Sequence, residues 1–145
     1  MKEVKGNLWT YPSDWRCITT NGFVKKNGEC VMGRGCAKEA RDKFPGFSKE
    51  LGTRIKNEGN HVFVFNDQKL FTFPVKHNWW EIAGLDLIKR SVTELGWYVG
   101  AGNPKDTFLM PRPGCGNGGL KWEDVKPLLQ DLPDNVLVIS FEGEE

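Results

Sequence analysis

Short apolar runs alternate along this chain with segments of helical periodicity, and that alternation is the strongest constraint on what it can fold into. The runs occupy residues 16–20 (RCITT), 61–65 (HVFVF), 69–75 (KLFTFPV), 107–111 (TFLMP) and 135–141 (NVLVISF), with a weaker one at 3–9. Each has the length of a strand and too few residues for a helix. Between them lie helical patterns. The clearest spans 82–99, where Leu85, Ile88, Val92, Leu95 and Val99 recur every three or four residues. Others are expected at 35–44, stopped by Pro45, at 47–57, and at 122–132, stopped by Pro133. Strands interleaved with helices predict an α/β chain with helices on both faces of a largely parallel sheet. In such sheets ligands collect at the carboxyl ends of the strands.

That rule directs attention to the loops. Glycine accounts for 17 of the 145 residues, where average usage gives about ten. Seven of the 17 fall in two loops, each leading from a strand towards a helix: Gly28, Gly33 and Gly35, and Gly114, Gly116, Gly118 and Gly119. Glycine lets several backbone N–H groups approach a diphosphate, and a helix starting just beyond adds its own unpaired N–H groups. Two such loops favour a clamp around a phosphate chain over two unrelated tight turns. Neither loop reads GxGxxG or GxxxxGK[ST], so a Rossmann cofactor site and a P-loop are not supported.

Other classes are narrowed by composition. Cys17, Cys30, Cys36 and Cys115 include no CxxC pair, so neither a zinc site nor a disulfide framework is written, and no metal or cofactor is expected. The charged N-terminus lacks a signal peptide's apolar run, and no apolar stretch approaches 18 residues, so a soluble cytoplasmic chain with no membrane partner is expected. Twenty Lys and Arg against 19 Asp and Glu give a net charge of +1. That argues against a bulk electrostatic grip on nucleic acid. Any such grip must come from a local patch such as Lys25, Lys26 and Arg34.

Three segments, ITTNG…VMGRGCAKEARDKFP, FTFPVKHNWWEIAGLDLIKRSVTEL and MPRPGCGNGGLKWEDVKPLL, together resemble macro domains. The likeness runs from about Gly6 to Phe141. It is strongest to the branch containing antitoxins that reverse DNA ADP-ribosylation and the terminal ADP-ribose protein glycohydrolase. The resemblance implies one domain over 1–145, a three-layer α/β/α sandwich with ADP-ribose lying across the strand ends. The partner it implies is ADP-ribose or an ADP-ribosylated protein or nucleic acid.

Residue by residue, Asn7 and Leu8 match the stretch where an acidic residue usually accepts the adenine amine; an amide oxygen accepts it without charge assistance. Asn21 matches the asparagine near the distal ribose, although the stretch 22–30 before VMGRG is longer than the family pattern. Met32, Gly33, Arg34 and Gly35 match the first phosphate loop, and Cys115, Gly116, Asn117, Gly118 and Gly119 the second. Phe141 stands where the family often has an aromatic residue near the adenine, and a core phenylalanine at a strand end reads equally well.

Lys76 ends the run FTFPVK. In the resembling branch this lysine attacks the anomeric carbon of the distal ribose, making the chain an ADP-ribosyl glycohydrolase. The attack needs a neutral amine, which an unperturbed lysine supplies in only about one molecule in two thousand at pH 7. A depressed pKa is therefore expected, from Arg34 or Arg112 nearby and an apolar setting of Phe73, Trp79 and Trp80. The loop carries Asn117-Gly118-Gly119 where the protein glycohydrolase has an acid. His77 adjoins Lys76 but on a strand points to the other face. Cys115 reads more readily as a small residue packed under its loop than as a nucleophile. A binding module without turnover and an ADP-ribose 1″-phosphate phosphatase are the competing functions.

Overall fold

A computed structural model of the chain describes residues 1–141. The tail after Phe141, which the sequence reading counts within the domain, lies outside them. In chain order the elements are β1 (Lys2–Lys5), β2 (Trp15–Asn21), α1 (Gly35–Lys43), α2 (Phe47–Glu58), β3 (Val64–Phe65), β4 (Leu70–Lys76), α3 (Leu85–Ala101), β5 (Phe108–Pro111), a 3-10 turn (Gly116–Gly118), α4 (Trp122–Leu129) and β6 (Val136–Ser140). The strands form one sheet in the order β1-β6-β5-β2-β4-β3. Every neighbouring pair is parallel except β3 with β4. The expected mixed, largely parallel sheet between helical layers is what forms.

Both faces are buried, so the strands need no polar side and read as the continuous apolar runs seen in the sequence. One core holds Cys17, Phe71, Phe73, Val75, Met110 and Val138 against Ile88, Leu95, Val125 and Leu129 of α3 and α4. The opposite core packs Ile18 and Leu70 with Ala37, Ala40, Phe47 and Leu51 of α1 and α2. Neighbours Cys17 and Ile18 thus face different layers, as strand alternation requires. A one-residue slip of β4 would turn Phe71, Phe73 and Val75 out of their core and into the opposite one, leaving cavities in the first and overpacking the second. That cost fixes the register and with it the face on which Lys76 emerges.

Several elements are shorter than their sequence patterns, for identifiable reasons. The run 61–65 pairs only at Val64–Phe65, because side chains take the preceding amides: Val62 N–H donates to Glu94 Oε1 at 2.9 Å and Phe63 N–H to Thr72 Oγ1 at 3.0 Å. β1 stops at Lys5 because Gly6 turns at φ +149° and the Asn7 carbonyl then accepts the amides of Thr10 and Tyr11. The long helix starts at Leu85, not at Ile82, whose side chain is exposed beside the extended Gly84. α4 ends at Leu129, and Leu132 is buried in the following turn. Trp97 is exposed on α3.

Candidate functional site

β2 and β5 lie side by side at the centre of the sheet, yet their loops depart to opposite faces, one to α1 and the other to α4. Their ladder has only the register pairs Trp15↔Phe108 and Arg16↔Leu109, at the start of both strands. Towards the carboxyl ends a crevice opens, as it does wherever strand order reverses in an α/β sheet. It is a cleft of about 940 Å³, and the ends of β2, β4, β5 and β6 all reach it.

Lys76 and the residues matched one by one to ligand roles all line this cleft except Asn7 and Gly119. Asn7 is exposed beside it, with its Oδ1 accepting the Trp9 amide at 2.8 Å, so the side chain shapes the turn that presents buried Leu8. Gly119 ends the 3-10 turn at φ +78°, next to Ile82. Gly28, grouped with the first glycine loop by sequence, instead turns a hairpin against α2, with the Lys49 chain alongside. Phe73 is wholly buried under α3 and outside the lining. Phe141 is exposed at the rim, so the core alternative does not hold.

The first glycine loop has the geometry of an anion cradle. Gly35 opens α1 at φ +58°, and the cap residue Arg34 gives the helix no side-chain hydrogen bond. None of the Gly33, Arg34 and Gly35 amides donates to a protein acceptor among the described residues. Unpaired amides at a helix start attract anions. Facing them, Asn117 comes close enough that a Cβ on Gly35 would lie 3.1 Å from its Nδ2. The two glycine loops therefore meet across the cleft. Met32 is buried in the floor, and Cys115 is half-buried in the wall.

Gly114 seats the second loop on the core. It is buried at φ +75°, and a Cβ there would lie 2.8 Å from Ile88 Cδ1 and 3.1 Å from Ala83 Cβ. We expect Gly114→Ala to lower stability by about 3 kcal/mol, from left-handed strain and overpacking together. Urea unfolding checks this through a lower midpoint at constant m.

Lys76 reaches the cleft because of its own strand. Pro74 has no N–H to give the ladder, and the register of β4 against β2 shifts there, from Thr20↔Pro74 to Asn21↔Lys76. The carbonyls left over are taken up by Ser91 Oγ, 2.7 Å from Pro74 O, and by the Gly84 amide, 3.0 Å from Val75 O. Lys76 Nζ then donates to Asn117 O at 3.3 Å. His77 turns away, with Nδ1 3.3 Å from Asn60 Nδ2, and is outside the lining.

Both cations expected around Lys76, Arg34 and Arg112, line the cleft, and Arg112 also lies 3.7 Å from Glu3 Oε1 and stacks on Trp122 at 4.9 Å. Bonds from Lys126 first, and also from Trp122, together with the charges of Lys126 and Arg112, hold the Glu3 carboxyl below its usual range. Burial pushes the Cys30 thiol up to about 12 and raises Cys17 and Cys36 as well, so these three behave as packing groups. Asn21 lines the cleft while bracing the neighbouring segment, with Nδ2 on Val31 O at 2.9 Å and Oδ1 on the Phe23 amide at 3.0 Å.

Some lining residues have no role in the sequence reading. Phe23 and Ser140 lie outside the segments that carry the resemblance, while Glu39 and Trp122 lie inside them without being singled out for the site. Glu39 is the one carboxylate in the lining among the described residues.

No family model matches the chain. It is 25% identical over 140 residues to a Thermus aquaticus protein named DNA ADP-ribosyl glycohydrolase, a match covering 90% of this chain and 37% of that protein. The chain thus spans little more than a third of its curated relative. Among solved structures, the macrodomain of Mycobacterium tuberculosis DarG superposes with a TM-score of 0.77 at 25% identity, covering 99% of this chain and 97% of that one. The macrodomain of Thermus aquaticus DarG gives 0.76 at 23% identity, with 97% of both chains covered. Thermosipho africanus DarTG, solved in complex with ADP-ribose, gives 0.77 at 18% identity over 99% of this chain and 42% of that one. A mixed six-stranded sheet between two helical layers, matched over nearly its full length by these neighbours, gives the chain a fold similar to the macrodomains of DarG.

Proposed function

We propose that this chain binds ADP-ribose along the cleft and releases it from an ADP-ribosylated acceptor, with Lys76 as nucleophile. The observation that carries the reading is the Lys76 amine at the mouth of a cleft whose two walls are glycine loops. The adenine end lies towards Leu8 and Phe141, and the diphosphate between the amides of Gly33–Gly35 and the Gly116–Gly118 turn. The distal ribose faces Asn21 and Lys76. DNA is the acceptor class named for the curated relative, and we extend it to this chain.

In the reaction, Lys76 Nζ forms a bond to the anomeric carbon of the distal ribose as the bond from that carbon to the acceptor breaks. The acceptor leaves with the electron pair and collects a proton from water. Water then hydrolyses the lysine adduct, freeing ADP-ribose and restoring the amine. Asn117 O holds one N–H of the amine and so limits its rotation.

A non-catalytic binding module is the second reading, favoured by the contact that the second loop offers Lys76, a carbonyl and no acid. Calorimetric titration with ADP-ribose, ADP, NAD and ADP-ribose 1″-phosphate, followed by a release assay on an ADP-ribosylated single-stranded DNA, separates the readings. We expect ADP-ribose to bind at least about tenfold more tightly than ADP, a difference of about 1.4 kcal/mol, and release to continue over many turnovers. Binding without turnover would leave the module, phosphate release from the 1″-phosphate would favour the phosphatase, and failure of all four ligands would overturn the nucleotide reading.

A further inference from the structure

The segment 22–30, longer than the family pattern, is a braced hairpin. Val24 and Cys30 form an antiparallel bridge. The Lys25 amide donates to Glu29 O at 2.8 Å, and the turn closes with the Gly28 amide on Lys25 O at 2.9 Å. α2 holds it from behind: Ser48 Oγ donates to Glu29 Oε1 at 2.8 Å, Lys49 Nζ to Asn27 O, and Gly52 sits so close that a Cβ there would lie 2.0 Å from Gly28 O. The hairpin therefore presents Phe23 and Lys25 to the cleft as fixed features.

Next to Phe23 stand two exposed tryptophans. The Phe23 and Trp80 rings meet edge-on at 5.5 Å and 68°, and Trp80 meets Trp79 at 5.5 Å and 90°. Trp79 lines the cleft that also contains Lys76, while Trp80, 60% exposed, continues outward from it. These edge-to-face contacts fix the indoles, and more than half of each remains open to solvent, as a stacking platform needs. On the hairpin beside it, Lys25 and Lys26 are exposed and make no ion pair within 4 Å among the described residues. The Glu29 carboxylate, held by Ser48 and Asn27, keeps its charge and is shared between the fields of Lys25 and Lys49. Flat rings beside exposed lysines suit bases and phosphates; a peptide would need pockets or an open strand edge.

Resting on the reading of the cleft given above, we propose that Trp80, seated by Phe23 of the hairpin that carries Lys25 and Lys26, is an acceptor subsite. It stacks an unpaired nucleobase next to the modified nucleotide of a single strand, and the lysines meet the adjoining phosphates. The net charge of +1 leaves this local patch to supply the grip on the strand.

The test compares three ADP-ribosylated acceptors on the folded chain: a nucleoside, a single-stranded DNA of about ten nucleotides and a peptide. Wild type should favour the oligonucleotide over the nucleoside by roughly tenfold or more in kcat/KM, the scale of one stacked base. Trp80→Ala should erase most of that preference, and Trp80→Phe should keep much of it. Because Trp80, expected by sequence to help form the apolar setting of Lys76, lies outside the cleft lining, both should leave the nucleoside rate and the ADP-ribose Kd within about twofold. Lys26→Ala should reduce the salt slope of oligonucleotide binding by up to about 0.7. Equal wild-type rates on nucleoside and oligonucleotide, an unchanged preference in Trp80→Ala, or a preference for the peptide would each overturn the subsite. Independently of turnover, unmodified oligonucleotide added to the ADP-ribose-saturated chain should quench tryptophan fluorescence in wild type, and less in Trp80→Ala. A chain that binds ADP-ribose and DNA but releases nothing refutes the hydrolase reading and keeps the platform; one that turns over without the quench refutes the platform alone.

Discussion

Lys76→Ala should lower the rate of ADP-ribose release by about a thousandfold or more, equivalent to about 4 kcal/mol of transition-state stabilisation. The ADP-ribose Kd should stay within about threefold, because the amide cradle at Gly33–Gly35 is untouched. Lys76→Arg sharpens the experiment. Its guanidinium keeps the charge and the reach to Asn117 O but cannot act as a neutral amine. We expect it to be as inactive as the alanine variant. A single-turnover assay, with trapping of any adduct on Lys76 by borohydride, measures both outcomes. Full release by either variant would refute the lysine mechanism.

The second large effect is on binding. Gly35 combines a left-handed backbone at φ +58° with Asn117 Nδ2 3.1 Å from where a Cβ would stand. Gly35→Val should therefore deform the junction of both glycine loops and weaken ADP-ribose binding about a hundredfold, or about 3 kcal/mol. Gly33 offers the contrast. A Cβ there meets nothing within 4 Å, so Gly33→Ala should fold normally. If a phosphate does approach that backbone, Gly33→Ala should also lose affinity, with its unfolding midpoint unchanged. Unaltered affinity in both variants would move the phosphate chain away from this loop.

The sheet was legible because burial on both faces writes strands as continuous apolar runs, and α3 because its buried stripe recurs at helical spacing. What escaped were places where side chains replace backbone pairing. Nothing local to 61–65 announces that Glu94, on α3, will take the Val62 amide, or that Thr72 will take that of Phe63. The cleft was legible as two glycine loops and one lysine, since backbone approach and a strand-end amine leave compositional traces. The ion pair of Arg112 was not legible, because Glu3 lies at the other end of the chain and charge alone does not say which carboxylate an arginine will find. The bond from the Trp9 amide to Asn7 Oδ1 was equally hidden, because it depends on a turn set by Gly6.

The pairing of β1 with β6 joins Lys2 to Leu137 and Val4 to Ile139, nearly the whole length of the chain apart. During synthesis the first strand must therefore wait, unpartnered, until the last has left the ribosome. Leu8, Leu109 and Ile139, which pack together beneath that edge, stay open to water for the same interval. A nascent chain halted before Val136 would hold both glycine loops and Lys76 yet lack the strand that carries Ser140 and Phe141 to the cleft. Ligand capture by stalled chains of increasing length should consequently appear in one step, when the final strand emerges.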